Sequence, residues 1–528
     1  MVRNLFYLIS ILVLVLVGII ALFWIQILWA LFIILPLILI GISDIFQKKH
    51  AILVNFPLIG HFRYLFEMIR PEIQQYFIDS NIDAFPIERE YRDLVYQRSK
   101  GDLETKPFGT HRDVYAIGYE WTPHSVHPSL KLENEPRVLI GGPDCQKPYH
   151  SSLLNISAMS FGALSKNAIL ALNRGAKIGN FAHNTGEGGL SPYHLEPGGD
   201  IIWQIGTGYF GCRTHAGEFD AEKYAEKAKH QHVKMIELKL SQGAKPGHGG
   251  VLPGCKVTQE IATIRDLPVG ETVYSPPGHI AFNSPIGLLE FIQKLRTLSG
   301  GKPVGFKLCV GKEIDVYSIC KAMHQTGITP DFITVDGGEG GTGAAPLEFS
   351  NSVGMPAKDG LMFVHSTLVG AGLRDNIRLI SSGKIFSAFH MIRALAIGAD
   401  VCASARGMML ALGCIQALRC NTDKCPTGVA TQNPALVKGL DVTDKGYRVA
   451  RFHKATIEGF LELLAALGLS DTNDLSPHHI YRRIDDSKIS DLSKLSKVLE
   501  KGQLLDETRI PHDIKEDWLR AETTVWGV

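Results

Sequence analysis

Residues 153–165 read LLNISAMSFGALS: an apolar run, a glycine-bearing loop, and then a helical pattern over 166–178. Leucine and isoleucine bounded by turn formers predict a buried strand, and the apolar periodicity after the loop predicts a helix. The same unit recurs down the chain. Further strands are predicted at 180–184, 201–207, 233–240, 303–309, 332–335, 377–381 and 400–404, with helices such as 221–230, 284–298 and 387–396 between them. Eight strand–helix units in about 260 residues match the size of a closed (β/α)8 TIM barrel, an α/β fold. A doubly wound open sheet competes with it, but no GxGxxG follows the first strand.

Chemistry in such a barrel sits on the loops after the strands. Six of those loops carry glycine or polar motifs: SFGALS, NTGEGG, SQGAKPGHGG, DGGEGGTGAAP, SSGK and ARG. Loop glycines also occur as plain turns, yet all six fall on one predicted face. The last two, 381–384 and 405–407, occupy the place where barrels often bind a phosphate, with Lys384 and Arg406 as supplementary charges. Lys307 closes the fifth strand and is expected to point into the barrel mouth, where a flavin mononucleotide needs a cation at its pyrimidine edge. The plainer reading is a surface lysine lying on apolar neighbours. Gln242, Lys245 and His248 share one loop, and Lys245 among glycines can reach an anion. Arg265 suits a bidentate carboxylate contact, although alone it reads as a helix-surface residue. Glu187 suits proton transfer or amine binding; alone it reads as a solvated loop carboxylate.

Hydrophobic residues are 45% and charged residues 20% of the 528, which describes a globular chain. A formal net charge of +1, with no basic stripe among aromatics, sets nucleic-acid binding aside. Nine cysteines, an odd and scattered set, argue against a disulfide framework. Three of them crowd into residues 413–432, GCIQALRCNTDKCPTGVATQ. Cys414, Cys420 and Cys425 lack a CxxC knuckle and end in Cys-Pro, which favours iron–sulfur ligation. Zinc with a remote fourth ligand and inert thiols stay open alternatives.

At the amino terminus, residues 5–42 contain no charge. One helix of that length would run roughly 57 Å, about twice a hydrocarbon core, so two spans joined near Trp24–Gln26 fit better. Arg3 before them and Lys48–Lys49 after them put both ends in the cytoplasm under the positive-inside rule. The expected location is the inner (cytoplasmic) membrane with the catalytic domain facing the cytoplasm. The apolar stretch is too long for a cleavable signal peptide. The expected domains are a transmembrane hairpin over 1–43, a lead-in region packing on the barrel over 44–150, the barrel with its cysteine loop over 151–440, and a helical extension over 441–528. Within the lead-in, 66–77 reads as a helix interrupted at Pro71.

Taken together, ISAMSFGALS, NTGEGG, QGAKPGHGG, SPPGH, VGFKLCVG, GGTGAAP and CPTGVATQ, in this order, resemble the FMN-binding synthase domain of the glutamate synthase family. The likeness extends to short, membrane-anchored members, which share the RPEIQQYF-type stretch. The resemblance implies a (β/α)8 barrel holding FMN and a 3Fe–4S cluster, with Cys414, Cys420 and Cys425 as the cluster ligands. It places Glu187, Gln242, Lys245 and Arg265 at the substrate. It places Met159, Ser160, Lys307, Gly340, Gly341, Thr342, Gly343, Gly383, Lys384, Arg406 and Gly407 at the flavin. The implied reaction is reductive amination of 2-oxoglutarate with ammonia to L-glutamate, with hydride from reduced FMN and electrons reaching it through the cluster. The chain opens with Met1 and the apolar hairpin, so no glutaminase domain is expected, and ammonia is expected from solution or a partner. With no dinucleotide fingerprint, the electron donor is expected to be a separate protein or membrane carrier. His248 departs from the acid usual at its position. A different amino or keto acid as substrate, or a non-catalytic barrel scaffold, are the competing functions.

Overall fold

The computed structural model describes residues 2–496 and 498–527. They divide into two compact units, one ending at Arg89 and one running from Glu90 onward. The second holds the barrel. Its strands are β1 (Leu154–Ile156), β2 (Ala182–Asn184), β3 (Asp200–Ile205), β4 (Val233–Lys239), β5 (Val304–Cys309), β6 (Phe332–Asp336), β7 (Arg378–Ser382) and β8 (Val401–Ser404). All neighbours are parallel, and β8 closes on β1 through Cys402↔Leu154, Ala403↔Asn155 and Ser404↔Ile156. All eight predicted strands are present, each within a few residues of its expected limits. Helices follow where caps start them: Ser165, Ser284 and Ser387 each accept an N–H of the first helical turn.

The barrel interior is graded along the strands. Near their amino ends Ala182, Ile202, Met235, Phe332, Ile380 and Val401 pack into one apolar layer. A hairpin of Val138–Ile140 and Tyr149–Ser151 caps that end, adding Ile140 and Tyr149 to the layer. Gly305 fits here because a β-carbon on it would lie 2.6 Å from the Phe332 ring. Two residues further along, the pleat brings the next side chains inward, and these are polar: Asn184, Gln204, Glu237 and Thr334. Glu237 is buried and accepts from Asn184 Nδ2 at 2.7 Å, Gln204 Nε2 at 2.6 Å and Thr334 Oγ1 at 2.6 Å. The next step along brings Lys239 and Asp336 in from β4 and β6. The core thus runs from hydrocarbon at the closed end to charge at the open one.

The helices expected after residue 440 are present, Val442–Ala466 lying along Lys166–Gly179, and Tyr481–Arg483 and Ile489–Asp491 add a three-stranded antiparallel sheet with Glu120–Trp121. Stacking of Trp121 on Tyr481 across the strand pair, 5.7 Å between centroids, supplies the packing that so short a sheet needs. One expectation needs correction, at Pro71. The helix His61–Ile73 runs through it and continues as a π turn over Gln74–Ile78, where Asp79 N donates to Gln74 O at 2.8 Å. A proline removes one donor and crowds one carbonyl, and the helix continues past that single missing bond.

The first unit begins with two apolar helical stretches, Val2–Ala21 and Ile25–Phe46, of 20 and 22 residues, each long enough to cross a membrane. Phe6 packs on Gly41, where a β-carbon would meet its ring at 2.3 Å. The turn between the stretches falls at Leu22–Trp24, two residues before the expected Trp24–Gln26.

Candidate functional site

At the open end, one ammonium organises the charge. Lys239, the last residue of β4, lies 2.9 Å from Glu187 Oε2 and donates to Gln242 Oε1 at 3.0 Å. Its strand end is pinned from behind by His279 of SPPGH, whose Nε2 bonds Lys239 O at 2.8 Å while Nδ1 meets Tyr209 Oη at 3.0 Å. Burial holds that imidazole neutral, down to about 4, so it adds no further positive charge. Gly250 and Gly206 wall the Glu187 side chain: β-carbons there would lie 2.5 Å from Oε1 and 2.7 Å from Cβ. Burial raises the Glu187 carboxyl, but Lys239, backed by Lys245 and Arg265, outweighs it and holds the group below its ordinary value.

Lys245 and Arg265 are buried on the same side. Lys245 Nζ has a hydrogen bond to Ala344 O at 2.8 Å, and burial, opposed by Glu187, brings its ammonium down to about 8. Arg265 ends a short helix, Gln259–Arg265, with Nη2 on Phe161 O at 2.8 Å and the guanidinium over the Phe210 ring at 5.3 Å. Burial brings it down to about 10. Among the described residues, Arg265 Nε and Gln242 Nε2 are both buried without a hydrogen-bond partner. Buried donors are rarely left unsatisfied, so a cationic pocket with two spare donors suits an anionic, carboxylate-bearing ligand.

Beside this cluster opens a hollow lined by Ser157, Gln204, Lys239, Gln242, Lys307 and Asp336 on one part, and by Gly340, Gly341, Ser382, Gly383, Lys384 and Arg406 on another. Lys307 Nζ sits 3.0 Å from Asp336 Oδ2. Burial alone would lower the Lys307 ammonium, but Asp336 and Glu237 outweigh it and hold it above its ordinary value. The glycine side of the hollow is a cradle: Lys384 takes a left-handed φ of 48°, and a β-carbon on Gly341 would lie 3.4 Å from Arg406. Arg406 Nη2 bonds Glu339 O at 2.9 Å, tying the sixth loop to the eighth. A cation at one end and a glycine cradle with two basic residues at the other suit a cofactor that carries a polar ring and a phosphate.

Most residues expected at a flavin line this hollow; five do not. Met159 and Ser160 lie against the NTGEGG loop, where Ser157 and Ala158 take the lining role instead. Thr342 and Gly343 are exposed beyond the hollow, and Gly407 is buried behind it against Ser404. Sequence reading passed over Lys239, Glu237 and Asp336.

The cysteine loop borders the same mouth. A β-carbon on Gly343 would lie 3.5 Å from that of Cys420. Burial pushes the Cys414 thiol up to about 12, with Cys420 and Cys425 adding to the effect. Cys425 is the opposite case. Burial raises it, but the Thr427 hydroxyl at 3.5 Å and the N–H groups of Ala430, Thr427 and Val429 bring it below its ordinary value. Among the described residues no three Cys, His, Asp or Glu side chains close on a single-ion site. The N–H donors around Cys425 suit an anionic sulfur centre.

The model for the conserved region in glutamate synthase matches residues 124–470. The chain is also 37% identical over 505 residues to the glutamate synthase large subunit-like protein YerD of Bacillus subtilis (strain 168), covering 87% of this chain and 96% of that one. An archaeal glutamate synthase (NADPH) of Methanocaldococcus jannaschii is 38% identical over 322 residues, 61% of this chain and 60% of its own length. The chain belongs to the glutamate synthase family. The region matched to glutamate synthase spans every site residue from Met159 to Cys425, together with Lys239, Glu237, His279 and Asp336. Among glutamate synthases proper the match is partial: the large chain of the NADPH enzyme from Bacillus subtilis is 34% identical over 329 residues, which is 20% of its length.

Proposed function

We propose that the open end of the barrel binds FMN and catalyses reductive amination of 2-oxoglutarate with ammonia to L-glutamate. The observation that carries this reading is the Lys239–Glu187–Gln242 cluster, flanked by Lys245 and Arg265, opening onto the hollow that ends at the glycine cradle. Lys307 would sit at the pyrimidine edge of FMN, and Gly340, Gly341, Gly383, Lys384 and Arg406 would hold its phosphate. FMN supplies the hydride chemistry when bound. Lys245 and Arg265 bind the two carboxylates of the oxo acid, with Arg265 Nε and Gln242 Nε2 as ready donors. Glu187, kept ionised by Lys239, accepts hydrogen bonds from the amine nitrogen and orients it. An ionised carboxylate is an acceptor, so its role begins as the positioning of ammonia rather than proton donation.

The reading extends to a 3Fe–4S cluster on Cys414, Cys420 and Cys425, which would supply single electrons. Its support is the spacing of the three thiols and the contact of Cys420 with the loop at Gly343. Reducing equivalents would come from a separate protein or a membrane carrier. Val2–Ala21 and Ile25–Phe46 are read as a transmembrane hairpin in the inner (cytoplasmic) membrane with the barrel on the cytoplasmic side, supported by Arg3 and Lys48–Lys49 at its ends. The test is the cofactor content of the detergent-extracted protein with a screen of oxo acids. Bound FMN and glutamate formation from 2-oxoglutarate and ammonium are expected, with FMN lost or loosened in Lys307→Met. Bound FMN with turnover only on a monocarboxylic oxo acid would refute the substrate assignment.

A further inference from the structure

The helix His61–Ile73 and its π continuation Gln74–Ile78 form an amphipathic rod that buries neither face among the described residues. Phe62, Leu65, Phe66, Ile73 and Phe77 fall on one side at helical spacing, and Phe62, Phe66 and Phe77 are 57%, 59% and 84% exposed. The other edge carries Arg63, Glu67 and Arg70, with Arg63 paired to Glu67 at 2.8 Å. A helix of this length in water draws little stability from its own hydrogen bonds and needs a surface for its apolar stripe.

The start of this helix is tied to the end of the second apolar stretch. Asp44, in the last turn of Leu31–Phe46, accepts from Leu58 N at 3.0 Å and meets His61 Nε2 at 2.9 Å. Lys48 and Lys49 follow in a turn where Gln47 Oε1 accepts Lys49 N at 2.7 Å and His50 N at 2.8 Å. The apolar span therefore ends, the charge appears and the amphipathic helix begins within one hydrogen-bonded corner. We propose that His61–Ile78 lies along the surface of a phospholipid leaflet, with the phenylalanine stripe at the acyl–headgroup boundary and the Arg63–Glu67–Arg70 edge toward headgroups and water. Lys48 and Lys49 beside it favour anionic lipid. The inference rests on the membrane reading of the two apolar stretches, and its test separates the two.

The full chain is placed in phosphatidylcholine–phosphatidylglycerol liposomes with the photoreactive residue benzoylphenylalanine introduced singly at Phe66, Phe77, Glu67 or Leu12. After irradiation, mass spectrometry should find phospholipid adducts at Phe66, Phe77 and Leu12 and their loss at Glu67. Lipid adducts at Leu12, with none or only protein adducts at Phe66 and Phe77, would overturn the surface helix and leave the spans standing. Adducts at Glu67 as abundant as those at Phe66 would also overturn it, because no face would then be selected. Adducts at Phe66 and Phe77 without any at Leu12 would uphold the surface helix and refute the spans. Lipid at none of the four positions refutes both.

Discussion

Lys239 has a carboxylate and an amide oxygen within reach of one buried ammonium, and both belong to residues proposed to face the substrate. Replacing it by methionine keeps the unbranched chain, one atom shorter, and removes the charge. Glu187 is then left without its nearest partner, at a cost of about 1–3 kcal/mol. Its folded-state carboxyl now lies below its ordinary value, so it contributes stability above the usual carboxylate range and loses it as pH falls through the folded value. In Lys239→Met the acid limb of the kcat/KM profile should therefore move to higher pH, with kcat/KM down by at least about tenfold, or 1.4 kcal/mol. Lys245 gives the opposite limb. Its ammonium, at about 8, is charged below that pH and neutral above it, so affinity for a dicarboxylate should weaken as pH rises through that range. The measurement is KM for 2-oxoglutarate against pH, and Lys245→Arg should flatten the alkaline rise. A KM independent of pH from 7 to about 9.5 would remove Lys245 from the substrate.

At the scale of elements, strands and loops were unequally legible. The eight strands could be placed because parallel barrel strands, buried on both faces, read as apolar runs between turn formers. The same habit hid half of the site. In IELKL of β4, Glu237 and Lys239 look like interruptions of a hydrophobic run. Read with period two from Met235, they are successive inward positions leading from core to mouth. Loop motifs were legible as sites, but not which of their residues face the hollow: Ser157 does and Ser160 does not, a difference of loop path that spacing does not carry. The small sheet around Tyr481–Arg483 escaped because its partner, Glu120–Trp121, lies more than 350 residues away. Two glycines separate fold from function. Gly305→Ala puts a β-carbon 2.2 Å from Phe332 O and 2.6 Å from its ring, inside the closed layer. It should cost about 1–3 kcal/mol, read as a lower melting temperature. Gly250→Ala meets the carboxylate end of the Glu187 side chain at 2.5 Å, so it should lower activity and leave the melting temperature nearly unchanged. Equal thermal losses in both variants would contradict this division.

Across the whole molecule, an apolar plug, a polar layer under Glu237 and a charged mouth succeed one another along one axis, with the thiol loop at the rim. That order gives the mouth partly buried positive charges, a setting in which the attraction of an anionic substrate is stronger than in water. The most direct measurement is an anaerobic half-reaction on the detergent-extracted protein. It is reduced with dithionite, excess reductant is removed, and 2-oxoglutarate and ammonium are added while the visible spectrum is followed. The expected result is bleaching of a flavin band, then its return with one glutamate formed per flavin reoxidised. A protein without a flavin band, or a reduced band that ignores 2-oxoglutarate and ammonium together, would contradict the assignment of the barrel mouth.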